Sequence, residues 1–234
     1  MTDKRIISVC VPARDEVHTM FTFDLVNAVS HHIGNTGDIV NLLMSQGTLL
    51  CSQRTELVMN AIHANADYLL FLDSDMRFPA DTIARLLAHG ECVVAANCAR
   101  RRMPTGPTAG NYDKATGRKV LRYSMPEDTG LEQVDMVGTG VMLVDINVFK
   151  VIDMPWFATP WDTAAKGYMG EDVYFCKLLR ENGIPLYIDH DLSKQIGHIG
   201  TFEYKHEHTW ALRPMEDERR KQAGAPVEES QKVA

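Results

Sequence analysis

Residues 66–83 read ADYLLFLDSDMRFPADTI. The run Tyr68-Leu69-Leu70-Phe71-Leu72 has the length and unbroken apolar character of a strand buried on both faces, as in a parallel sheet covered by helices. It ends in two acids, Asp73 and Asp75, separated by Ser74. Burial accounts for the apolar residues but gives no reason for paired carboxylates where the strand stops. In open parallel sheets, ligands bind beyond the carboxyl ends of the strands. Strand side chains repeat every two residues, so this spacing aims both carboxylates the same way, about 6–7 Å apart along the chain, with Ser74 turned elsewhere. A hard divalent cation suits such a pair; the plainer alternative is a solvated acidic turn ahead of Pro79.

The flanking pattern makes this the third strand of an α/β sheet. Residues 5–13, RIISVCVPA, form a near-continuous apolar strand closed by Pro12, and 21–32 follow with helical spacing at Phe21, Leu25, Ala28 and Val29. Residues 38–45 read as a second strand. In 52–66 the apolar residues Leu57, Val58, Ala61 and Ile62 fall on one helical face, and the third strand spans 67–73. Pro79 and Asp81 open another helix with Ile83, Leu86 and Leu87 on its buried side, His89-Gly90 stop it, and ECVVAAN (91–97) is strand four. Alternation of this kind signals βα units and a mostly parallel central sheet flanked by helices.

After Asn97 the alternation breaks. Residues 99–119 carry Pro, Gly, Thr and the basic cluster Arg100-Arg101-Arg102 without apolar periodicity, and read as a long excursion from the core. The cluster suits phosphates or another anionic group, or is a solvated basic loop. Residues 140–145 return as a strand and 146–152 as a short helix; 154–170 form an irregular loop whose Trp156, Phe157 and Trp161 either pack on a sugar ring or anchor the loop to the core. The helix beginning at Glu171-Asp172 is well punctuated, with Arg180 in its last turn, Asn182-Gly183 as its cap and Pro185 beyond. Residues 185–189 are a last strand. The expected organisation is one domain over 1–212 and a charged, flexible C-terminal tail over 213–234.

Bulk composition agrees with one soluble α/β domain. The chain has 234 residues, 45% hydrophobic and 24% charged, enough to bury a core without staples. A formal charge of −7 disfavours a broad grip on nucleic acid, which depends on neutralising phosphates, and leaves room for a local basic patch. No apolar run approaches the roughly 18 residues of a membrane span, and MTDKRIISVC passes straight into a strand without a signal core. The expectation is a cytoplasmic protein. The five cysteines include no C-x-x-C pair and read as reduced thiols, mostly buried.

Taken in order, ISVCVPARDE, the helix led by SQR, ADYLLFLDSDM, VGTGVMLVD, GYMGEDVYFCKLLRENGIPLYID and GHIG resemble the GT-A glycosyltransferases, particularly family 2-like enzymes, over residues 5–200. The resemblance implies a single GT-A-like domain and a D-x-D motif at Asp73-Ser74-Asp75. It implies that these acids meet the ribose and metal-bound diphosphate of a nucleotide sugar, a UDP-sugar by family analogy, with Mn2+ or Mg2+ held by Asp73, Asp75 and His198. Pro12, Ala13 and Asp15 would belong to the nucleoside pocket with Arg54 nearby, although ARDE departs from the commoner form with Asn after the first strand. Asp172, beside Glu171, would be the general base for a hydroxyl acceptor in an inverting transfer. The chemistry asks for such an inventory: a departing diphosphate needs its growing charge stabilised, and the acceptor hydroxyl must lose a proton.

Each site residue also has a plainer reading. Acids at a helix start are ordinary capping residues, and a lone histidine is usually structural; the glycines around His198 permit close backbone approach. His206 and His208 stand near it in sequence, with no zinc spacing to support them. Gly138-Thr139-Gly140 lacks the third glycine of a dinucleotide fingerprint and reads instead as a place where acceptor or sugar approaches the backbone. Alternatives to an inverting transferase are a retaining GT-A enzyme with the same metal site, a noncatalytic nucleotide-sugar-binding module, and a phosphohydrolase; the last usually places its acid pair after the first strand, followed two residues later by Thr or Val, where Arg77 stands here.

Overall fold

The computed structural model describes residues 4–200 and 203–224. The first half follows the expected alternation: β1 (Ile6–Ala13), α1 (Thr19–Thr36), β2 (Ile39–Gln46), α2 (Leu50–His63), β3 (Tyr68–Leu72), a two-residue β4 (Met76–Arg77), α3 (Thr82–Ala88) and β5 (Val93–Ala95). The second half is more broken. It holds β6 (Gly110–Tyr112), β7 (Lys119–Leu121), β8 (Leu131–Gln133), β9 (Val141–Asp145), α4 (Val148–Val151), β10 (Trp161–Asp162), β11 (Gly167–Tyr168), α5 (Glu171–Glu181) and β12 (Tyr187–Asp189). The chain continues through α6 (His190–Ser193), β13 (Gly197–Ile199), β14 (Glu203–Lys205), α7 (His206–Ala211) and α8 (Arg213–Gln222).

The central sheet has seven strands in the order β2-β1-β3-β9-β5-β12-β8. β1 pairs in parallel with both β2 and β3, and β5 with β12. β9 runs antiparallel between β3 and β5, and β8 is antiparallel to β12, so five of the seven strands share one direction. The architecture is the expected α/β sheet with two reversed strands.

The unbroken apolar run of β3 follows from cores on both sheet faces. Leu69 and Phe71 point into one core with Leu57, Val58, Val144, Phe175 and Leu179; Leu70 and Leu72 point into the other with Val9, Phe21, Ile83 and Leu86. Trp156 and Phe157 are buried. Phe157 meets Phe71 edge-on with ring centroids 5.6 Å apart and stacks on Phe175 at 5.1 Å, and Phe149 stacks on the other side of Phe175 at 5.7 Å. These two loop aromatics are therefore anchors of the core, whereas Trp161 is 57% exposed and crosses Tyr168 on the β10–β11 hairpin.

Residues 213–222, placed at sequence level in a charged tail, form α8. Its Glu216 is fully buried and accepts from Arg102 at 2.7 Å and from Arg219 at 2.8 Å, which ties α8 to the excursion after β5. Residues 225–234 of the expected tail lie outside the described residues. Among the described residues no helix is long and apolar enough to cross a membrane. The five cysteines are free, with Cys10, Cys98 and Cys176 buried, Cys51 half-buried and Cys92 exposed.

Phe175 joins the acid-bearing start of α5 to the β3 core. Phe175→Ala opens a cavity beside the rings of Phe149 and Phe157 and should lower unfolding free energy by about 3–5 kcal/mol, measured by urea denaturation.

Candidate functional site

Beyond the carboxyl end of β3 lies a pocket of about 170 Å³ lined by Arg54, Asp73, Gly140, Glu171, Asp172 and His198, among others. Five candidate residues far apart in sequence thus share one cavity.

Arg54 organises it. The side chain leaves α2 with only 1% of its surface exposed, donates from Nη2 to Asp73 Oδ1 at 2.8 Å, and holds Nε 3.5 Å from Glu171 Oε1. The guanidinium lies 5.2 Å from the Phe71 ring centroid. Burial works against its charge, but the carboxylates of Asp73 and Glu171 outweigh burial and hold its pKa above the ordinary value. Nε and Nη1 are buried without a hydrogen-bond partner, so the group has donor capacity to spare. The sequence placed Arg54 near a nucleoside; the structure places it beneath the acids.

Asp73 is held from two sides. Its backbone N–H donates to the Gly140 carbonyl at 2.9 Å, across the β3–β9 pairing. A Cβ on Gly140 would stand 3.3 Å from Asp73 Oδ2, and one on Gly138 would stand 3.1 Å from Thr108. The two glycines thus let the Asp73 carboxylate and the Thr108 side chain approach this backbone.

Ser74 lies in the turn, where its carbonyl accepts from the His18 N–H at 3.1 Å. Asp75 receives Arg101 Nη1 at 2.7 Å on Oδ2, and His198 Nε2 stands 3.4 Å from Oδ1. His198 reaches it because β13 pairs with β4, setting His198 opposite Met76, next in chain to Asp75. Its Nδ1 sits 2.7 Å from the Ala99 carbonyl. A carbonyl only accepts, so Nδ1 carries a hydrogen, and Nε2 is the nitrogen turned toward Asp75. Burial alone would raise the Asp75 pKa; the contact with His198 and the charge of Arg101 overcome it and hold the carboxyl below its usual range.

A carboxylate beside an imidazole whose other nitrogen is fixed by a carbonyl is a donor pair suited to a divalent cation. Asp73 does not complete a trio with them. Its Oδ1 turns to Arg54, and among the described residues no three His, Cys, Asp or Glu side chains gather as a metal-holding group.

Glu171 and Asp172 open α5 behind Gly170, which has no side chain to cap the helix. Burial pushes the Glu171 carboxyl above its ordinary range, Arg54 pulls it back in part, and Asp172 adds to the rise. Asp172 Oδ1 accepts from the Val173 N–H at 2.7 Å and lies 2.6 Å from where a Cβ on residue 170 would sit. Glycine at 170 is what lets the Asp172 carboxylate lie over the turn beside the pocket.

Pro12, Ala13 and Asp15 stand apart from this pocket. Pro12 is buried opposite Ser45, and the Ala13 carbonyl accepts from Gly47 N–H at 3.1 Å and Gln53 Nε2 at 2.5 Å. Asp15 is exposed and paired with Arg14 at 3.2 Å. Sequence reading missed Thr108, whose Oγ1 is buried, unpartnered and on the pocket lining; its only signal was the Pro and Gly density of the excursion.

No protein-family model and no curated protein matches the chain. Among solved structures it is similar to GalNAc-T7 with UDP, GalNAc and Mn2+, at TM-score 0.55 and 12% identity over 97% of this chain and 56% of that one. It is similar to A197 from STIV at TM-score 0.53 and 16% identity, over 84% of this chain and 86% of that one. S. aureus TarS 1-349 aligns at TM-score 0.46 and 15% identity over 96% and 67%. The chain has the GT-A fold. It spans about half of the GalNAc-T7 chain. In the GT-A fold of this chain, the pocket occupies the carboxyl edge of the sheet where ligands of open α/β folds bind.

Replacing Arg54 by Met removes the cation and leaves two acids facing each other. Partial exposure of Asp73 softens the penalty, so Arg54→Met should cost about 3 kcal/mol, the low end for breaking a buried pair, read from the urea midpoint.

Proposed function

We propose that this protein is a glycosyltransferase that moves a sugar from a UDP-sugar to a hydroxyl acceptor, with Mn2+ or Mg2+ at Asp75 and His198 and with inversion at the anomeric carbon. The observation that carries the reading is the convergence of Asp73, the Glu171-Asp172 pair and His198 on one pocket, in which Arg54 joins Asp73 to Glu171. The likeness to GalNAc-T7, crystallised with UDP, GalNAc and Mn2+, supports the class of donor.

In the proposed reaction the acceptor oxygen attacks the anomeric carbon as the bond to the diphosphate oxygen breaks. Asp172 takes the hydroxyl proton; Glu171 is engaged with Arg54 and fixes the guanidinium instead. A bound divalent cation supplies positive charge to the departing diphosphate. Arg54, whose Nη1 has no hydrogen-bond partner, adds fixed positive charge that needs no reorganisation. His198 and Asp75 would hold the cation, and Asp73 would face the ribose. Pro12, Ala13 and Asp15 at the end of β1 take the nucleoside.

Asp172→Asn should reduce kcat by about 10²–10⁴ while leaving UDP binding intact, and product NMR should show the inverted anomer. Near-normal transfer by this variant would remove Asp172 as the base, and a retained anomer would replace inversion with retention. Thermal melting should rise with UDP plus Mn2+ and lose that rise with EDTA; in Asp75→Asn and His198→Ala the metal-dependent part should shrink.

A further inference from the structure

β2 is an edge of the central sheet, with β1 on one side and no strand on the other among the described residues. Its ladder to β1 decides which backbone groups are left over. The Ile39 N–H donates to the Arg5 carbonyl at 2.9 Å and the Gly47 N–H to the Ala13 carbonyl at 3.1 Å, and the strands between run parallel. In a parallel pair, alternate residues turn both N–H and C=O toward the same neighbour. Ile39, Asn41, Leu43 and Ser45 therefore bond to β1, and Val40, Leu42 and Met44 aim their backbone groups outward.

Natural sheet edges are shielded by charged side chains, proline or bulges. The β2 sequence IVNLLMSQ has no charge and no proline, and its pairing with β1 is unbroken from Ile39 to Gln46. Val40 packs against the core beneath α1, so by alternation Leu42 and Met44 lie on that same face, where each is 50% exposed.

α1 adds a second apolar strip beside them. It buries Phe21, Leu25 and Ala28 against the sheet, and on one flank Asp24 accepts from the Arg77 side chain and the Phe78 N–H, on the side away from β2. Helical geometry sets Val26, Val29 and Ile33, spaced by three and four, on the opposite flank toward β2. Val29 is half-buried, while Val26 and Ile33 are 58% and 42% exposed.

We propose that a second copy of this chain docks on the β2 edge and joins the two seven-stranded sheets in antiparallel fashion about a two-fold axis. The strand is self-complementary in one register. With Leu42 opposite Leu42 of the second copy, Val40 of each chain faces Met44 of the other. All three are outward-bonding positions, so every facing pair exchanges both of its N–H···O bonds. The same pairs set apolar side chains against apolar side chains, and the two α1 flanks meet over the junction, as an isologous contact requires. The size also fits a stable dimer. Eight residues at about 3.3 Å each, by roughly 30 Å of stacked α1, sheet and α2, give about 800 Å² per chain, the area of a standard interface. A peptide added to the strand alone would leave the α1 strip uncovered.

Sedimentation equilibrium of the full-length protein at micromolar concentration should return twice the chain mass. Leu42→Lys sets like charges together at the axis and should weaken association about 100-fold or more while the far-UV circular dichroism stays unchanged. Val151→Lys, at an exposed apolar residue of α4 outside this edge, should leave the dimer intact. Register is read by copper-phenanthroline oxidation and peptide mass spectrometry. Leu42→Cys should link two chains through position 42, because facing Cα atoms of a hydrogen-bonded pair lie about 5.5 Å apart, within disulfide reach. Gln46→Cys falls opposite Asp38 and should not link to itself. A monomeric wild type overturns the proposal and leaves the edge to some other partner. A dimer that survives Leu42→Lys overturns it too, as does self-linkage through position 46 in place of 42; if Leu42→Lys loses its folded spectrum, the two cysteine variants decide.

Discussion

A single buried guanidinium sets the terms for this molecule's chemistry. Arg54 is placed by the second turn of α2 with its side chain buried, and its charge is tolerable there only because Asp73 and Glu171 bring carboxylates to it. The dependence runs both ways: the acids at the end of β3 and the start of α5 are close because the cation between them relieves their repulsion. Phe71 beneath the guanidinium and Phe175 on α5 belong to one core, so the packing that holds the sheet also fixes the distance between the two acidic motifs.

Reversal of β9 is the second constraint. An antiparallel strand inserted between β3 and β5 begins where β3 ends, so the Gly138-Thr139-Gly140 turn arrives beside Asp73. The glycines that looked like an approach for sugar or acceptor instead make room for Thr108 and Asp73. The short β4–β13–β14 sheet performs the same service for Asp75 by delivering His198.

Much of this was legible in the chain. β1 to β3 and α5 stand out because their apolar runs and Gly-Pro punctuation agree with one another, and burial on both faces explains why β3 has no alternation. A common site for Asp73, Asp172 and His198 was implied only by the family resemblance; that α5 and β13, neither of them part of the central sheet, bring Glu171, Asp172 and His198 to one pocket with Asp73 is seen in the structure. Other features left no periodic trace. Two- and three-residue strands such as β4 and β13 carry too few side chains for a pattern. Arginine is so rarely fully buried that composition gave no hint of the role of Arg54. Trp156 and Phe157 could have faced a sugar or the core, and only the geometry of Phe71, Phe149 and Phe175 decides it. The charged run of α8 looked unsuited to burial, but the partner that buries Glu216, Arg102, lies more than a hundred residues upstream.

Because β9 is clamped by β3 on one side and β5 on the other, the chain between β5 and β9 leaves and returns at fixed points. Closing a longer loop costs entropy only logarithmically in its length. The exposed tip of the β6–β7 hairpin, residues 113–118, is therefore free to lengthen, shorten or change charge over evolutionary time without moving the carboxylates at the sheet edge. A scaffold of this kind can vary at its rim while the side chains at the sheet edge stay in place.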